Sequence, residues 1–486
     1  MKTIICGSGI GGLVTAIRLA DKGIPVEIYE KNFYAGGKMG EFRKSGFRFD
    51  TGPSVITMPD LIIDLFNDTG RHVEDYLEFI KPEISCRYFW EDGTVFNSFN
   101  NKTYCKDELK KVFSESESIN FSKFIDYSKN FFELYNDIFG KVEFNIRDYL
   151  SKKYLANFTK FVSGRSINDV SNKFFREKKL KQIINRYATF TGSSPYLIPQ
   201  FFSVIPYVEF EFGSFYLKDG MYSLALALEK ICGEYGIEIR YGQELVKIES
   251  EGKRIKKLFF RNKDNLITET TGFENVVSNF TNMKELTGKN YFDNTDWSSS
   301  GFIMMLGINR EFKELAYHNV FFSNDYENEY IDIYENKIPA DDMTIYLSVS
   351  SKFNGVDAPQ SMENWFLFVN VPYLSRKFEW NDNSKKEYFV KVLNKLDRFS
   401  YLFDDSIRNH IIFSEIYSPE EFKNLYNSEF GSIYGLSSNS IYTLMKRIKN
   451  KSSQFGNLYF TGGNTNPGGG IPLCFLSAKS VAGMIK

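Results

Sequence analysis

The chain has 486 residues, 42% of them hydrophobic and 25% charged, and a formal net charge of −1. This composition is that of a globular protein with room for roughly two or three domains, and the lack of a basic excess argues against nucleic-acid binding. Aromatic residues are frequent, at 17%, with 48 Phe and 30 Tyr. Their abundance predicts either aromatic cores or a surface for a large apolar ligand.

Cysteine and histidine are too scattered to suggest a metal site. The five cysteines never form a C-x-x-C pattern and the three histidines are far apart, which is typical of a reducing compartment and of a chain without a metal centre. The first apolar run belongs to a strand–turn–helix pattern rather than to a signal peptide, and no run approaches the roughly 18 apolar residues of a membrane span. We therefore expect a cytoplasmic protein that associates with a membrane only peripherally.

The chain begins with "KTIICGSGIGGLVTAIRLADKGIPVEIYEK", which predicts strand, glycine turn, helix and strand. Gly7, Gly9 and Gly12 form G-x-G-x-x-G between the first strand and the helix, the pattern that places a pyrophosphate at a helix N-terminus. Glu30 ends the second strand, where a carboxylate accepts hydrogen bonds from ribose hydroxyls and repels a 2′-phosphate. The motif therefore predicts a dinucleotide other than NADP and leaves FAD and NAD open.

The middle of the chain alternates between strand-like and helical patterns. "CRYFWEDGTVFNSF" predicts two strands around an Asp-Gly turn, and residues 106–187 have a helical pattern. Residues 196–216 are rich in aromatics and poor in charge, which predicts either a core strand or a patch that faces a membrane or a ligand entrance. Strand-like segments such as "GFIMMLGI" and "NWFLFVNVP" follow, with a helix predicted over 383–399.

The C-terminal segment "GGNTNPGGGIPLCFLSAKS" combines a glycine cluster with a helical pattern. Gly468, Gly469 and Gly470 would allow the backbone to lie against a ligand. Pro472 suits the first turn of a helix, and the N-terminus of that helix would stabilise a negative charge by roughly 0.3–2 kcal/mol.

Several motifs resemble those of known flavoproteins. Gly36, Gly37 and Lys38, a second glycine pair followed by a basic residue, resemble the FAD-binding extension of flavin amine oxidases and carotenoid desaturases. "FDTGPSVITMP", "GRSINDVSNKFFREKKLKQII" and the C-terminal glycine segment resemble motifs of the bacterial phytoene desaturase family, and the resemblance covers essentially the whole chain. "RYATFTGSSPYLIP" is most similar to the hydroxycarotenoid 3,4-desaturase branch. Asn466 stands where relatives usually carry His, so a mechanism that needs that His is doubtful here.

The resemblance implies an α/β fold in three parts. A Rossmann-type FAD-binding domain is interleaved with a mixed-sheet substrate domain and a helical, membrane-facing subdomain, as in flavin amine oxidases and carotenoid desaturases. The FAD-binding domain would comprise residues 1–70, 217–290 and 441–486. The substrate domain would comprise 71–105, 191–216 and 291–440, and the helical subdomain 106–190.

The resemblance also implies a function. We expect an FAD-dependent carotenoid desaturase that removes two hydrogens from an acyclic carotenoid end, at C3–C4 of a 1-hydroxycarotenoid. Because no second G-x-G-x-x-G exists, oxygen or a quinone would be the electron acceptor. The alternatives are a phytoene-type desaturase, a carotenoid isomerase or oxygenase, a retinol-saturase-like enzyme, and more distantly a non-catalytic prenyl- or lipid-binding protein of the same fold.

The same resemblance, together with the glycine motif, gives the candidate site residues. Arg165, Arg186 and His318 are the candidates for a role beside the substrate, and Val246 is a candidate for a backbone contact with adenine. The candidate cofactor-binding residues are Gly7, Ser8, Gly9, Gly11, Gly12, Glu30, Lys31, Gly37, Lys38, Gly52, Pro53, Ser54, Val246, Asn279, Gly463, Asn464, Gly470, Ile471 and Pro472.

Overall fold

Strands and helices follow one another throughout the part of the chain that the structure describes. The computed structural model describes residues 2–139, 164–280, 296–440, 443 and 446–486. The strands are β1 (Lys2–Cys6), β2 (Val26–Tyr29), β3 (Glu41–Lys44), β4 (Phe47–Asp50), β5 (Phe79–Ile80), β6 (Ile84–Phe89), β7 (Val95–Phe99), β8 (Tyr216–Leu217), β9 (Glu238–Arg240), β10 (Glu244–Glu251), β11 (Arg254–Arg261), β12 (Ile267–Thr270), β13 (Phe273–Ser278), β14 (Ser300–Ile308), β15 (His318–Phe321), β16 (Ile345–Ser348), β17 (Glu363–Val371), β18 (Ile411–Tyr417) and β19 (Leu458–Phe460).

The helices of the described residues are α1 (Ile10–Asp21), α2 (Asp60–Asp68), α3 (Lys102–Val112), α4 (Glu115–Phe139), α5 (Ile167–Phe174), α6 (Lys178–Arg186), α7 (Val204–Phe212), α8 (Ser223–Glu234), α9 (Tyr326–Ile331), α10 (Asp382–Asp397), α11 (Pro419–Tyr426) and α12 (Ile471–Met484). Among these residues, the structure contains no helix that is both long and apolar enough to span a bilayer.

A five-stranded parallel sheet holds the beginning and the end of the chain together. Its order is β19-β13-β1-β2-β9, with Ile4 of β1 opposite Val276 of β13 and Glu27 of β2. Ile4 and Ile5 are fully buried, because Ile5 faces helices α1, α8 and α12 and Ile4 faces strand β11. Helix α1 packs against α8 and α12. The predicted strand–turn–helix–strand unit is confirmed, and its glycine turn lies at the carboxyl end of the sheet, where open α/β sheets bind ligands.

A seven-stranded mixed sheet forms the second part of the core. Its order is β18-β14-β17-β16-β15-β6-β7, and all neighbours are antiparallel except β15 and β6. Alternate residues of a strand point to opposite faces: Met304 of β14 packs into a cluster with Leu393 of α10, whereas Ile303 faces a cavity. The predicted helix near 383–399 and the β6–β7 hairpin are both confirmed. A three-stranded antiparallel sheet, β10-β11-β12, packs on the parallel sheet, with Phe260 of β11 stacked on Tyr29 of β2.

The aromatic segment 196–216 forms a helix, where a core strand is one of the two predictions. It contains helix α7, which packs against α4 through contacts such as Phe210 with Phe121, at 4.7 Å between ring centroids. An apolar run without a clear period fits a buried helix as well as a strand, and here both sides of the run find apolar neighbours. Most of α7 is buried, while Leu197 ahead of it is 50% exposed.

The predicted domain division stays a prediction. Every strand of the parallel sheet comes from segments 1–70, 217–290 or 441–486, and every strand of the seven-stranded sheet from 71–105 or 291–440. The predicted helical subdomain 106–190 includes residues 140–163, which lie outside the described residues. For the part that is described, α3 to α6 bear out the helical pattern.

Candidate active site

A cavity of about 500 Å³ lies between the two large sheets and receives residues from both. Cys6 and Tyr29 at the ends of β1 and β2 line one part, and Ile303, Tyr346 and Phe366 of the seven-stranded sheet line another. The site therefore has a glycine-rich half at the parallel sheet and an aromatic half at the mixed sheet.

The first glycine turn is shaped as its sequence predicts. Gly7 has φ +104°, and a β-carbon on Gly12 would stand 2.1 Å from the carbonyl oxygen of Gly7. The turn is therefore possible only with glycine at these two positions. Helix α1 starts directly after Gly9, and no side chain caps its first N–H groups, which leaves them available for a ligand.

Glu30 is held rigidly at the end of β2. Its carboxylate accepts hydrogen bonds from the backbone N–H of Ser8 at 2.7 Å, from the Ser8 hydroxyl at 2.9 Å and from the backbone N–H of Asn32 at 2.8 Å. The side chain is 5% exposed and lines the cavity. Ser8 thus orients Glu30 from behind and does not itself line the cavity.

The second glycine pair lies against the first turn. The backbone N–H of Gly36 donates to the carbonyl of Ser8 at 2.9 Å, and a β-carbon on Gly37 would stand 3.2 Å from the α-carbon of Gly9. Lys38 follows, donating to the carbonyl of Ile433, and burial lowers its pKa to about 8. A cation is therefore fixed beside the turn, in a place where an anionic ligand would strengthen its charge.

The C-terminal glycine segment closes the same half of the cavity. Asn279 at the end of β13 donates from Nδ2 to the carbonyl of Thr461 at 3.1 Å. Gly470 has φ +112°, and a β-carbon placed on it would meet nothing within 4 Å. Helix α12 begins at Ile471 with Pro472 in its first turn and no side-chain cap, as predicted. Its free N–H groups lie beside Ile471 and Pro472, which both line the cavity.

These features fit FAD. Two uncapped helix N-termini suit a pyrophosphate and the negative edge of a flavin, Glu30 suits a ribose, and the open space beside Gly470 suits a flat ring. Most of the predicted cofactor-binding residues line the cavity, namely Gly7, Gly9, Gly11, Glu30, Lys31, Gly37, Lys38, Gly52, Pro53, Ser54, Asn279, Gly463, Asn464, Gly470, Ile471 and Pro472.

Three predicted cofactor-binding residues do not line the cavity. Ser8 and Gly12 support the turn from behind. Val246 is a bulge residue: Leu245 pairs with Phe260 and Lys247 with Phe259, so Val246 has no counterpart on β11, a strand that is described in full. Bulged backbone groups are free of the ladder, so a backbone contact with adenine stays a prediction.

The other half of the cavity is lined mainly by large apolar and aromatic side chains. Its lining residues there are Phe190, Ile303, Val320, Tyr326, Tyr330, Tyr346, Phe366 and Phe368. Such a wall suits a long hydrocarbon, since each buried aromatic side chain offers a large apolar area and little polarity.

Arg186, at the end of α6, is a buried cation in this apolar half. Its guanidinium donates to the hydroxyl of Tyr88 at 3.1 Å and lies 5.4 Å, 5.5 Å and 5.4 Å from the ring centroids of Tyr88, Tyr187 and Phe190. Burial opposes its charge, but Tyr88 and Glu209 outweigh that effect and its pKa lies well above the usual range. Arg186 is therefore charged at every pH of interest.

His318, the first residue of β15, is buried and neutral. Burial, reinforced by the charge of Arg186, lowers its pKa to about 3. Its Nδ1 lies 2.5 Å from the hydroxyl of Tyr346, which in turn lies 2.5 Å from the hydroxyl of Ser54. A histidine with this pKa does not exchange protons near neutral pH, so it acts as a hydrogen-bonding group rather than as an acid or base.

A role for Arg165 beside the substrate stays a prediction. The residue is exposed, lies just ahead of the cap of α5 and is not among the residues that line the cavity. Its position in a family-like motif carries no information about the direction of its side chain.

Glu209 was missed by the sequence analysis. It lies on α7, lines the cavity and accepts a hydrogen bond from the Tyr187 hydroxyl at 2.8 Å. Burial raises the pKa of its carboxyl, and Arg186 and Tyr187 offset part of the rise. The one available signal was a carboxylate in the apolar run "VIPYVEF". No cluster of His, Cys, Asp and Glu that suits a metal occurs in the described ranges.

Known proteins are similar to this chain in sequence. Residues 10–276 match the flavin containing amine oxidoreductase family. A 1-hydroxycarotenoid 3,4-desaturase from a Flavobacterium species is 34% identical, over 100% of this chain and 99% of its own length. A 4,4′-diapolycopene oxygenase from a Methylomonas species is 34% identical, over 99% of this chain and 97% of its own length.

The solved structures show the same fold at low sequence identity. An oxidoreductase from Methanosarcina mazei superposes with a TM-score of 0.64 at 14% identity, covering 100% of both chains. Fold, family match and full-length relatives agree with the cofactor half of the cavity. The chain therefore belongs to the flavin-containing amine oxidoreductases, as an FAD-dependent oxidoreductase of the carotenoid desaturase type.

Proposed function

We propose that the protein introduces the C3–C4 double bond into the end of an acyclic 1-hydroxycarotenoid. One observation carries the proposal: a single cavity runs from the glycine turns to a mainly apolar, aromatic wall, where Arg186 and His318 stand as polar groups in addition to Glu209. A long hydrocarbon with one oxygen at its end matches that distribution. The name of the Flavobacterium relative supports the same substrate class.

FAD, when bound, supplies the oxidant that accepts two electrons and a hydrogen from the substrate. The chain's own task is to hold one C–H bond in position and to exclude water. Phe190, Phe366 and Phe368 would pack along the polyene. The uncapped N-terminus of α12, at Gly470 and Ile471, would stabilise negative charge at the cofactor.

Glu209 is our candidate for accepting the proton that desaturation releases. It is the buried carboxylate of the aromatic half, and its raised pKa makes it a stronger base than an ordinary carboxylate. Arg186 keeps the anionic form accessible, and the Tyr187 hydroxyl orients one carboxylate oxygen. His318 cannot take this role because its pKa lies near 3.

The proposal includes a membrane surface and an electron acceptor. A carotenoid is delivered from a lipid phase, so we propose peripheral membrane association, with the region near the exposed Leu197 as a contact. Oxygen or a quinone would reoxidise the cofactor, since the sequence holds one dinucleotide motif. Flotation with liposomes tests the first point, and a protein that stays at the bottom of the gradient would contradict it.

A second candidate function is oxygenation of a carotenoid end. The Methylomonas relative, named as an oxygenase, is as similar to this chain as the desaturase is. An oxygenase would add an oxygen atom, whereas a desaturase removes two hydrogens, so product analysis separates the two.

The experiment supplies FAD-loaded protein with liposomes that contain one of two acyclic carotenoids, identical except for a tertiary hydroxyl at C1. Chromatography, absorption and mass spectrometry then follow the products. We expect loss of two hydrogens and a red-shifted spectrum, with the hydroxylated substrate preferred. A gain of oxygen would favour the oxygenase, and no product from a flavin-loaded protein would contradict both.

A further inference from the structure

We propose that Arg186 and His318 form a hydroxyl-binding subsite that selects the oxygenated end of the substrate; this inference rests on the proposed function. The ligand group is a neutral tertiary alcohol at the end of a long hydrocarbon. The nitrogens that would bind it, Nε of Arg186 and Nε2 of His318, make no hydrogen bond within the described part of the protein.

Both side chains are buried, with 9% of Arg186 and 4% of His318 exposed. Among the described residues, Nε of Arg186 and Nε2 of His318 have no hydrogen-bond partner, although both residues line the cavity. Buried polar atoms are nearly always satisfied in native proteins, so two unsatisfied nitrogens on side chains that line one cavity point to a polar group of the ligand.

The sheet brings the two side chains to the same wall. Strands β6 and β15 run in parallel, with Tyr88 opposite Val320. His318 lies two residues before Val320 and therefore faces the same side of the sheet. Tyr88 accepts the hydrogen bond from Arg186, which places Arg186 over this side as well. The charge of Arg186 is also felt at His318.

The hydrogen-bonding roles match a hydroxyl. Arg186 can only donate, whereas Nε2 of a neutral histidine donates or accepts according to its tautomer. A hydroxyl oxygen accepts from Arg186 and, in either tautomer, completes a bond with His318. A carboxylate end group is disfavoured because the positive charge of Arg186 already faces Glu209.

The subsite lies close to the cofactor half of the cavity. Two hydrogen bonds of 2.5 Å each connect His318 through Tyr346 to Ser54, and Ser54 follows Gly52 and Pro53 in the segment predicted to bind FAD. A hydroxyl held at His318 would therefore bring the carbons next to it, rather than the middle of the polyene, toward the reacting position.

The test measures binding as well as turnover. FAD-loaded protein is titrated with the two matched carotenoids, with and without the C1 hydroxyl, and quenching of tryptophan fluorescence gives the dissociation constants. The hydrogen bonds that only the hydroxylated carotenoid can form with these nitrogens should give it about a tenfold to a hundredfold higher affinity. We expect His318→Phe and Arg186→Met each to bring the ratio of the two dissociation constants toward one. His318→Gln should retain part of the preference.

The matched control is His72→Phe, because His72 is an exposed histidine outside the cavity; it should leave the preference unchanged. Flavin content and thermal unfolding show whether each variant is folded. Wild-type protein that binds and desaturates both carotenoids equally would overturn the subsite while the desaturase function stands. Protein that binds FAD but converts neither carotenoid would instead contradict the proposed function. An unchanged preference in folded His318→Phe would also overturn the subsite.

Discussion

A β-carbon placed on Gly11 would stand 2.8 Å from the α-carbon of Gly462. The first helix and the last glycine segment are thus in contact although 451 positions separate them. Thr15 and Thr461 reinforce this contact through their hydroxyls, at 3.2 Å. The two ends of the chain form one half of the cavity only while this contact remains close.

Gly11→Ala should therefore disturb cofactor binding and stability together. The new methyl group would force apart two backbone segments, and overpacking of this kind costs roughly 1–3 kcal/mol. We expect a lower melting temperature and a weaker FAD complex, measured by thermal unfolding and by the flavin retained after dialysis.

Gly233→Ala is the matched control. Gly233 also lies in a helix, α8, but a β-carbon there would meet nothing within 4 Å. Alanine is the better helix former by roughly 0.8–1.0 kcal/mol, so this variant should be at least as stable as the wild type. Equal flavin retention in Gly11→Ala and Gly233→Ala would contradict the importance of the contact.

Glu30→Gln should weaken FAD binding without unfolding the protein. Glu30 accepts two hydrogen bonds from Ser8 and one from Asn32, and an amide offers one oxygen where the carboxylate offers two. Hydrogen bonds to charged groups contribute roughly 1.5–3 kcal/mol, so weakening the bonds that Glu30 is expected to accept from the ribose should raise the dissociation constant of FAD about tenfold to a hundredfold. Titration of the apoprotein with FAD, followed by flavin fluorescence, measures it.

Glu27→Gln on the same strand provides the comparison. Glu27 pairs with Lys2 at 2.8 Å and does not line the cavity. A partly exposed pair of this kind contributes little, so FAD affinity should stay at the wild-type value. If both variants bind FAD as the wild type does, Glu30 has no role in holding the cofactor.

The cofactor half could be predicted from the sequence because its signals are local. A glycine turn needs a positive φ and close approach of backbone segments at fixed spacings. Gly7, Gly9 and Gly12 therefore predict the turn within a few residues, and Glu30 follows at the end of the next strand. The glycine cluster before Pro472 is equally local. At these positions the backbone geometry requires glycine or proline, so the residue type alone is enough to predict it.

The substrate half could not be predicted in the same way. Hydrogen bonds between His318 and Tyr346 and between Tyr346 and Ser54 join segments that are 28 and 292 residues apart. No local sequence pattern predicts such contacts. Glu209 lies in an apolar run whose period fits a strand and a helix alike. Arg165 had a motif but is exposed, since a motif position does not determine where a long side chain points.

Glu209→Gln should abolish most of the turnover while the cofactor stays bound. If Glu209 accepts the released proton, its loss should slow desaturation by roughly a hundredfold to ten-thousandfold, whereas the cofactor half is untouched. Single-turnover reduction of the bound flavin by the hydroxylated carotenoid measures the step directly. Glu209→Asp should retain part of the rate.

Glu211→Gln on the same helix is the control, because Glu211 is exposed and pairs with Lys102 at 2.7 Å. It should reduce the flavin at the wild-type rate. A Glu209→Gln variant that does the same would remove Glu209 from the mechanism and would leave proton release to solvent.

His318 should make the protein less stable as the pH falls below about 6.5. Its pKa is lowered from the ordinary 6.5 to about 3 in the folded protein, so between these values the unfolded chain binds a proton that the folded chain does not. The free energy of unfolding must then fall with decreasing pH, by up to about 1.4 kcal/mol per pH unit for one proton. About one pH unit above 6.5 both states are neutral and the dependence disappears.

Urea unfolding of the wild type and of His318→Gln at pH 7.5, 6.5 and 5.5 checks this sign, because other titrating groups are common to both proteins and cancel in the difference. The wild type should lose more stability than the variant from pH 6.5 to 5.5, and the excess loss should be much smaller from 7.5 to 6.5. Glutamine bears no titrating group. If the free energies of unfolding of the two proteins changed in parallel over the whole pH range, His318 would take up its proton in the folded state as well, next to the positive charge of Arg186.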